Sequence, residues 1–270
     1  MAVSKEQKNQ YNEKVRVYKS QAEDLKKEIA TVKGAGRRNV RLDPYFQIKA
    51  AILGIQRANT LVQMSRLSQQ IQNIKNDSYL SDARKELSSR MTDILKIVGE
   101  DLDGTLTENL EKLESIGELT PAQKLNLLLG FKEAVENVRQ AMGETSKWRW
   151  YFPDMYLKLL TLARNLLDFK QYERTKDPGN EHYRPLQEYM RFMMDLSQNT
   201  AQEYRSKYEL STSEVADLQV IEKIFEMQKK VYSFTGQKDE LRKATIALDY
   251  NKEKIEAQMA EKKSGKKKKG

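Results

Sequence analysis

The chain has 270 residues, 32% of them charged and 39% apolar, with a mean hydropathy of -0.78. Its Leu, Ile and Met recur too regularly for a disordered chain, and no apolar run approaches the roughly 18 residues that span a bilayer. Zero cysteines and a single histidine, His182, exclude disulfides, thiolate zinc sites, cysteine nucleophiles and a multi-histidine metal site within one chain.

Residues 4–33 carry Tyr11, Val15, Tyr18, Ala22, Leu25, Ile29 and Val32, spaced alternately by four and three. This is a heptad pattern on one helix, with polar residues nearly everywhere else. Gly34 and Gly36 are expected to stop it. Arg37, Arg38 and Arg41 then form a basic connector, and Asp43-Pro44 reads as the cap and first residue of a second helix over 44–76. That helix is apolar over a wide arc, which predicts packing on more than one side. Gly54 in its interior marks a close crossing. A third helix, over 80–98, stops at Gly99.

Three strings then fit the capping box, in which a Ser or Thr caps a helix and a Glu or Gln three residues on reaches back. They are Thr105-Leu-Thr-Glu108, Thr120-Pro-Ala-Gln123 and Ser211-Thr-Ser-Glu214. Further helices are expected over 153–175, 184–209 and 239–261. No segment shows period-two alternation between turn signals. The fold class is therefore all-α: an elongated bundle of about 8–9 helices with a coiled-coil-like first helix. The expected organisation is a heptad helix over 1–36, a bundle core over 43–236, an amphipathic helix over 237–261 and a disordered polybasic tail over 262–270.

The string Asp101-Leu-Asp-Gly-Thr-Leu-Thr107 resembles the opening motif of the haloacid-dehalogenase-like phosphatases. The resemblance would make Asp101 the nucleophile and Asp103 the acid/base, with Mg²⁺ between carboxylate and phosphate. That chemistry needs the end of a buried parallel strand in a doubly wound sheet. It also needs a downstream Gly-Asp or Asp-Asp pair. Here a helical stripe precedes the motif, and neither dipeptide occurs in the chain. As a calcium loop the same string would put Gly99 and Leu110 where an EF-hand requires acids. The string reads as a loop leading into the next helix.

The net charge of +9 is concentrated at the two ends. Residues 1–42 hold 11 basic and 5 acidic side chains, residues 262–270 hold six lysines and no acid, and the remainder is net -3. The start, MAVSKEQKNQ, lacks the apolar stretch of a signal peptide, so the expected location is cytoplasmic. No catalytic constellation, metal set or phosphate-cradling loop is legible, and no cofactor is implied. The sequence thus predicts a non-catalytic helical scaffold that binds a protein partner or itself. Candidate partner-binding residues are Tyr11, Val15, Tyr18, Leu25 and Ile29 on the heptad stripe, with Trp148 and Trp150 in a basic-aromatic cluster that reads first as a core plug. The alternative is a nucleic-acid-associated or acidic-surface-binding protein. Its contacts would come from Arg37, Arg38 and Arg41 and from Lys262, Lys263, Lys266, Lys267, Lys268 and Lys269, and would weaken with salt.

Overall fold

In the computed structural model the described residues are 3–267, with side chains through residue 260, and no strand occurs among them. The all-α expectation holds. Among the described residues the ten α-helices are α1 (Lys5–Arg38), α2 (Asp43–Gln72), α3 (Asp77–Val98), α4 (Leu110–Glu114), α5 (Pro121–Met142), α6 (Phe152–Leu166), α7 (Phe169–Arg174), α8 (Tyr183–Lys207), α9 (Val215–Thr235) and α10 (Lys238–Lys267).

α1 opens with a complete capping box. Gln7 N donates to Ser4 Oγ at 3.1 Å, and Ser4 N donates to Gln7 Oε1 at 2.9 Å. The helix does not stop at Gly34 or Gly36 but continues to Arg38. Gly36 serves a close approach instead: a Cβ there would lie 2.2 Å from Asp43 Oδ1 at the start of α2. Gly54 does mark a crossing, since a Cβ there would lie 2.4 Å from the Arg90 side chain of α3. Between α2 and α3 the chain reverses through Asn73 at φ 54°, and Asn76 Oδ1 caps α3 by accepting from Tyr79 N at 3.3 Å.

The helix expected over 153–175 is two helices. Leu167 turns extended, with ψ of 122°, and Asp168 caps α7 by accepting from Gln171 N at 2.9 Å. Of the three later capping boxes, only Thr120–Gln123 forms in full, at 3.2 and 2.9 Å. At 105–108 only the return arm forms, Thr105 N donating to Glu108 at 2.9 Å, and α4 starts later, at Leu110. At 211–214 the chain makes a π-turn, Tyr208–Thr212, before α9.

The long helices run alternately up and down. Arg57 Nε of α2 donates to Ala22 O of α1; α3 lies antiparallel to α2, and α5 parallel to it, with Arg66 donating to Asn137. α6 packs on α3, α5 and α8, then α8 on α9 and α9 on α10. One buried apolar cluster runs through the array, from Tyr11 and Val15 in α1 to Leu248 and Ile255 in α10. The terminal helices each pack on their sequence neighbour, α1 on α2 and α10 on α9. No helix among the described residues is long and apolar enough to cross a membrane.

This alternation brings four irregular segments to one end, while the 143–151 connector and the π-turn lie at the other. The four are the connector after α1, the 99–120 segment, α7 and the loop before α8.

Candidate functional site

The predicted recognition residues divide by burial. Tyr11, Val15 and Ile29 are buried within the chain, and Tyr18 and Leu25 are half-buried against the same clusters. The heptad stripe is therefore covered by the chain's own neighbouring helices. Trp148 is half-buried and already occupied. The Arg84 guanidinium lies 4.3 Å from its ring centroid and 3.9 Å from that of Tyr151, a cation held between two aromatic faces. Trp150 is half-buried, with Arg149 at 4.7 Å. Arg37, Arg38 and Arg41 are exposed at the loop-bearing end. Lys262, Lys263, Lys266, Lys267, Lys268 and Lys269 lie outside the residues whose side chains are described.

The Asp101–Thr107 loop follows the helical α3 and is held by its carbonyls. Asn165 Nδ2 donates to Gly99 O at 2.7 Å and to Asp101 O at 3.1 Å. Arg164, 1% exposed, donates to Thr105 O and lies 3.8 Å from Glu108. Lys230 of α9 donates to the Asp103 and Gly104 carbonyls. Burial pushes the Arg164 pKa down, and Glu108, Asp101 and Asp103 oppose that. The string is thus a strap over a buried cation, and its acids are the outer ring of that strap.

Beyond the strap lies a feature the sequence reading missed. A cavity of about 660 Å³ opens between α4, the 117–120 turn, the first turn of α5, α7 and His182. Leu110, Leu113, Leu119 and Pro121 supply its apolar wall. Lys124 lines it too and is only 6% exposed. Its ammonium makes no hydrogen bond and no ion pair within 4 Å among the described residues, and it is the stem that is buried while Nζ opens on the cavity. Burial lowers its pKa below the ordinary lysine value, and Asp168 alone pulls the other way. Asp168 is itself engaged as the cap of α7. The position adds to the cost: Lys124 sits in the first turn of α5, where the helix dipole disfavours a cation.

Opposite Lys124 stand Lys170 and Arg174, both exposed and neither ion-paired, and His182, whose nearest acid is Glu181 at 3.7 Å. Glu114 and Glu118 are exposed on the rim. They also border a second groove of about 550 Å³, shared with Arg41, Leu42 and Tyr45. One signal for Lys124 was legible: it lies at i, with Leu128 at i+4 and Phe131 at i+7, so a lysine occupies the buried stripe of α5.

What the fold defines is an all-α multi-helix bundle with a polar cavity at its loop-bearing end. The chain belongs to the TP0443 family, whose model matches residues 7–259 and so spans α1 to α10. No curated protein and no solved structure matches it.

Proposed function

We propose that this chain is a non-catalytic cytoplasmic interaction protein whose working face is the loop-bearing end of the bundle, in place of the heptad helix. Lys124 is the observation that supports the reading. A lysine whose stem is buried and whose ammonium meets only a cavity loses part of its hydration without gaining a partner, which costs stability. A partner that brings a counter-charge into the cavity turns that cost into affinity. Two of the other polar groups of the cavity, Thr120 and Asp168, are committed to the fold as helix caps. The Thr120 hydroxyl accepts from Gln123 N as the cap of α5.

Substitution of Lys124 by Met tests whether the lysine serves binding or folding. Removing an unpaired charge while keeping the side-chain volume is expected to raise unfolding stability by about 1 kcal/mol or more. The readout is the urea midpoint at an unchanged denaturant slope. A loss of stability would show that Lys124 is held structurally by Asp168, and the reading would fail.

A further inference from the structure

We infer that the cavity takes a small organic anion, a phosphate monoester or a carboxylate on a ring-sized apolar body, with its charged group seated on the Lys124 ammonium. This rests on the reading of Lys124 as a binding group.

The placement of charge decides for an anion over a cation. Acids and cations both line the cavity, but they differ in how far they are desolvated. Glu114 and Glu118 are exposed, and Asp168 accepts from Gln171 N as a helix cap. Lys124 is 6% exposed and unpaired. A charge at low dielectric attracts its counter-ion several-fold more strongly than one in water. The strongest unsatisfied field in the cavity is therefore positive.

Two further features match the rest of such a ligand. Lys170 and Arg174 face the cavity unpaired, which leaves donors for a second anionic oxygen at its mouth. The N-terminus of the 22-residue α5 opens on the same space through Thr120 and Pro121, adding the positive end of a helix dipole. Leu110, Leu113 and Leu119 give the uncharged body an apolar wall. About 660 Å³ lies within the usual range for small-molecule sites.

The experiment is a thermal-shift titration of the full chain with phenyl phosphate and, separately, phenylacetate. Inorganic phosphate and potassium chloride at matched ionic strength serve as controls. A saturable rise of about 5–10 °C is expected at 100-fold over Kd. It should vanish in Lys124→Met, and the exposed Arg174→Ala should weaken affinity by about two- to fivefold. The arm that shifts identifies the head group as phosphate or carboxylate. A shift with inorganic phosphate alone would overturn the organic body. No shift with any probe up to millimolar concentration, or a shift that persists in both variants, would overturn the anion assignment. If Lys124→Met still stabilises the unliganded protein in that case, the reading of Lys124 as a binding group stands. If it destabilises, that reading falls as well.

Discussion

Asn165→Ala tests how the Asp101–Thr107 strap is held. The side chain is 1% exposed and makes three hydrogen bonds: two donated, to Gly99 O at 2.7 Å and Asp101 O at 3.1 Å, and one accepted from Arg164 Nη1 at 2.5 Å. Neutral bonds contribute about 1 kcal/mol each, and one to a charged group about 1.5–3 kcal/mol. The carbonyls lie in a surface loop where water can replace part of what is lost, so the expected cost is about 3 kcal/mol. It is read as a shift of the urea midpoint at constant slope. Amide hydrogen exchange should quicken over 99–109, because those carbonyls lose their anchor. Asp103→Asn is the paired control. The strap is held through carbonyls, so this change should cost about 1 kcal/mol or less. A loss below about 1 kcal/mol for Asn165→Ala, or a larger loss for Asp103→Asn, would refute the carbonyl-held strap.

Two further outcomes follow from local geometry. Gly54→Ala places a methyl 2.4 Å from the Arg90 side chain, which is ion-paired to Glu86 and Asp93 at 3.1 and 2.9 Å, and should cost about 1–3 kcal/mol by overpacking. A neutral result in chemical denaturation would mean that α2 and α3 separate more easily than their packing implies. The Tyr11 hydroxyl is buried without a hydrogen-bond partner, and burial with Tyr79 beside it pushes its pKa up to about 12. The neutral phenol is thus favoured by the fold, so its contribution is intact below pH 10 and is lost as pH rises from 10 toward 12. Tyr11→Phe should leave neutral-pH stability unchanged or raise it by up to about 1 kcal/mol, and flatten that alkaline loss. A steeper alkaline loss in the variant would contradict it.

Helix type and order were legible because the apolar period persists through every long element. The errors fall where one residue type has two uses. Glycine after a heptad stripe reads as a stop, but Gly36 has no side chain because Asp43 approaches it, and the helix runs on. The stripe through Leu166, Leu167 and Phe169 carries no glycine or proline, so the break between α6 and α7 was hidden in it. Asp168 with Gln171 three residues on was its one trace. The candidate site was less legible than the fold. Heptad spacing shows that a stripe will be buried, and it does not show whether the covering helix belongs to the same chain. Here α2 supplies the cover. Lys124 was overlooked because a lysine beside Leu125 and Leu128 reads as the polar edge of an amphipathic helix. Only the packing of α4 and α7 around it buries its stem and leaves the ammonium facing a cavity.

Among the described residues, four cationic side chains are buried: Arg84, Arg90, Lys124 and Arg164. Arg90 is answered by two carboxylates, Arg164 by a carbonyl, Asn165 and Glu108, and Arg84 by two aromatic faces. Lys207, though less buried, is matched by Asp154 at 3.1 Å and Asp217 at 3.2 Å at the opposite end of the bundle. Each of the three guanidiniums keeps a buried nitrogen without a hydrogen bond, but each has an acid or an aromatic face against it, whereas the Lys124 ammonium has neither and opens on a cavity. A ligand oxygen completes the pattern by adding the missing charge, and Lys124→Met completes it by deleting the unmatched one. The two differ in one measurable respect. The first stabilises the wild-type chain only when ligand is present, and the second stabilises the chain permanently and makes it indifferent to ligand. Stability gained without ligand and stability gained with it should then be mutually exclusive in the same protein, as charge matching at a single unpaired ammonium requires.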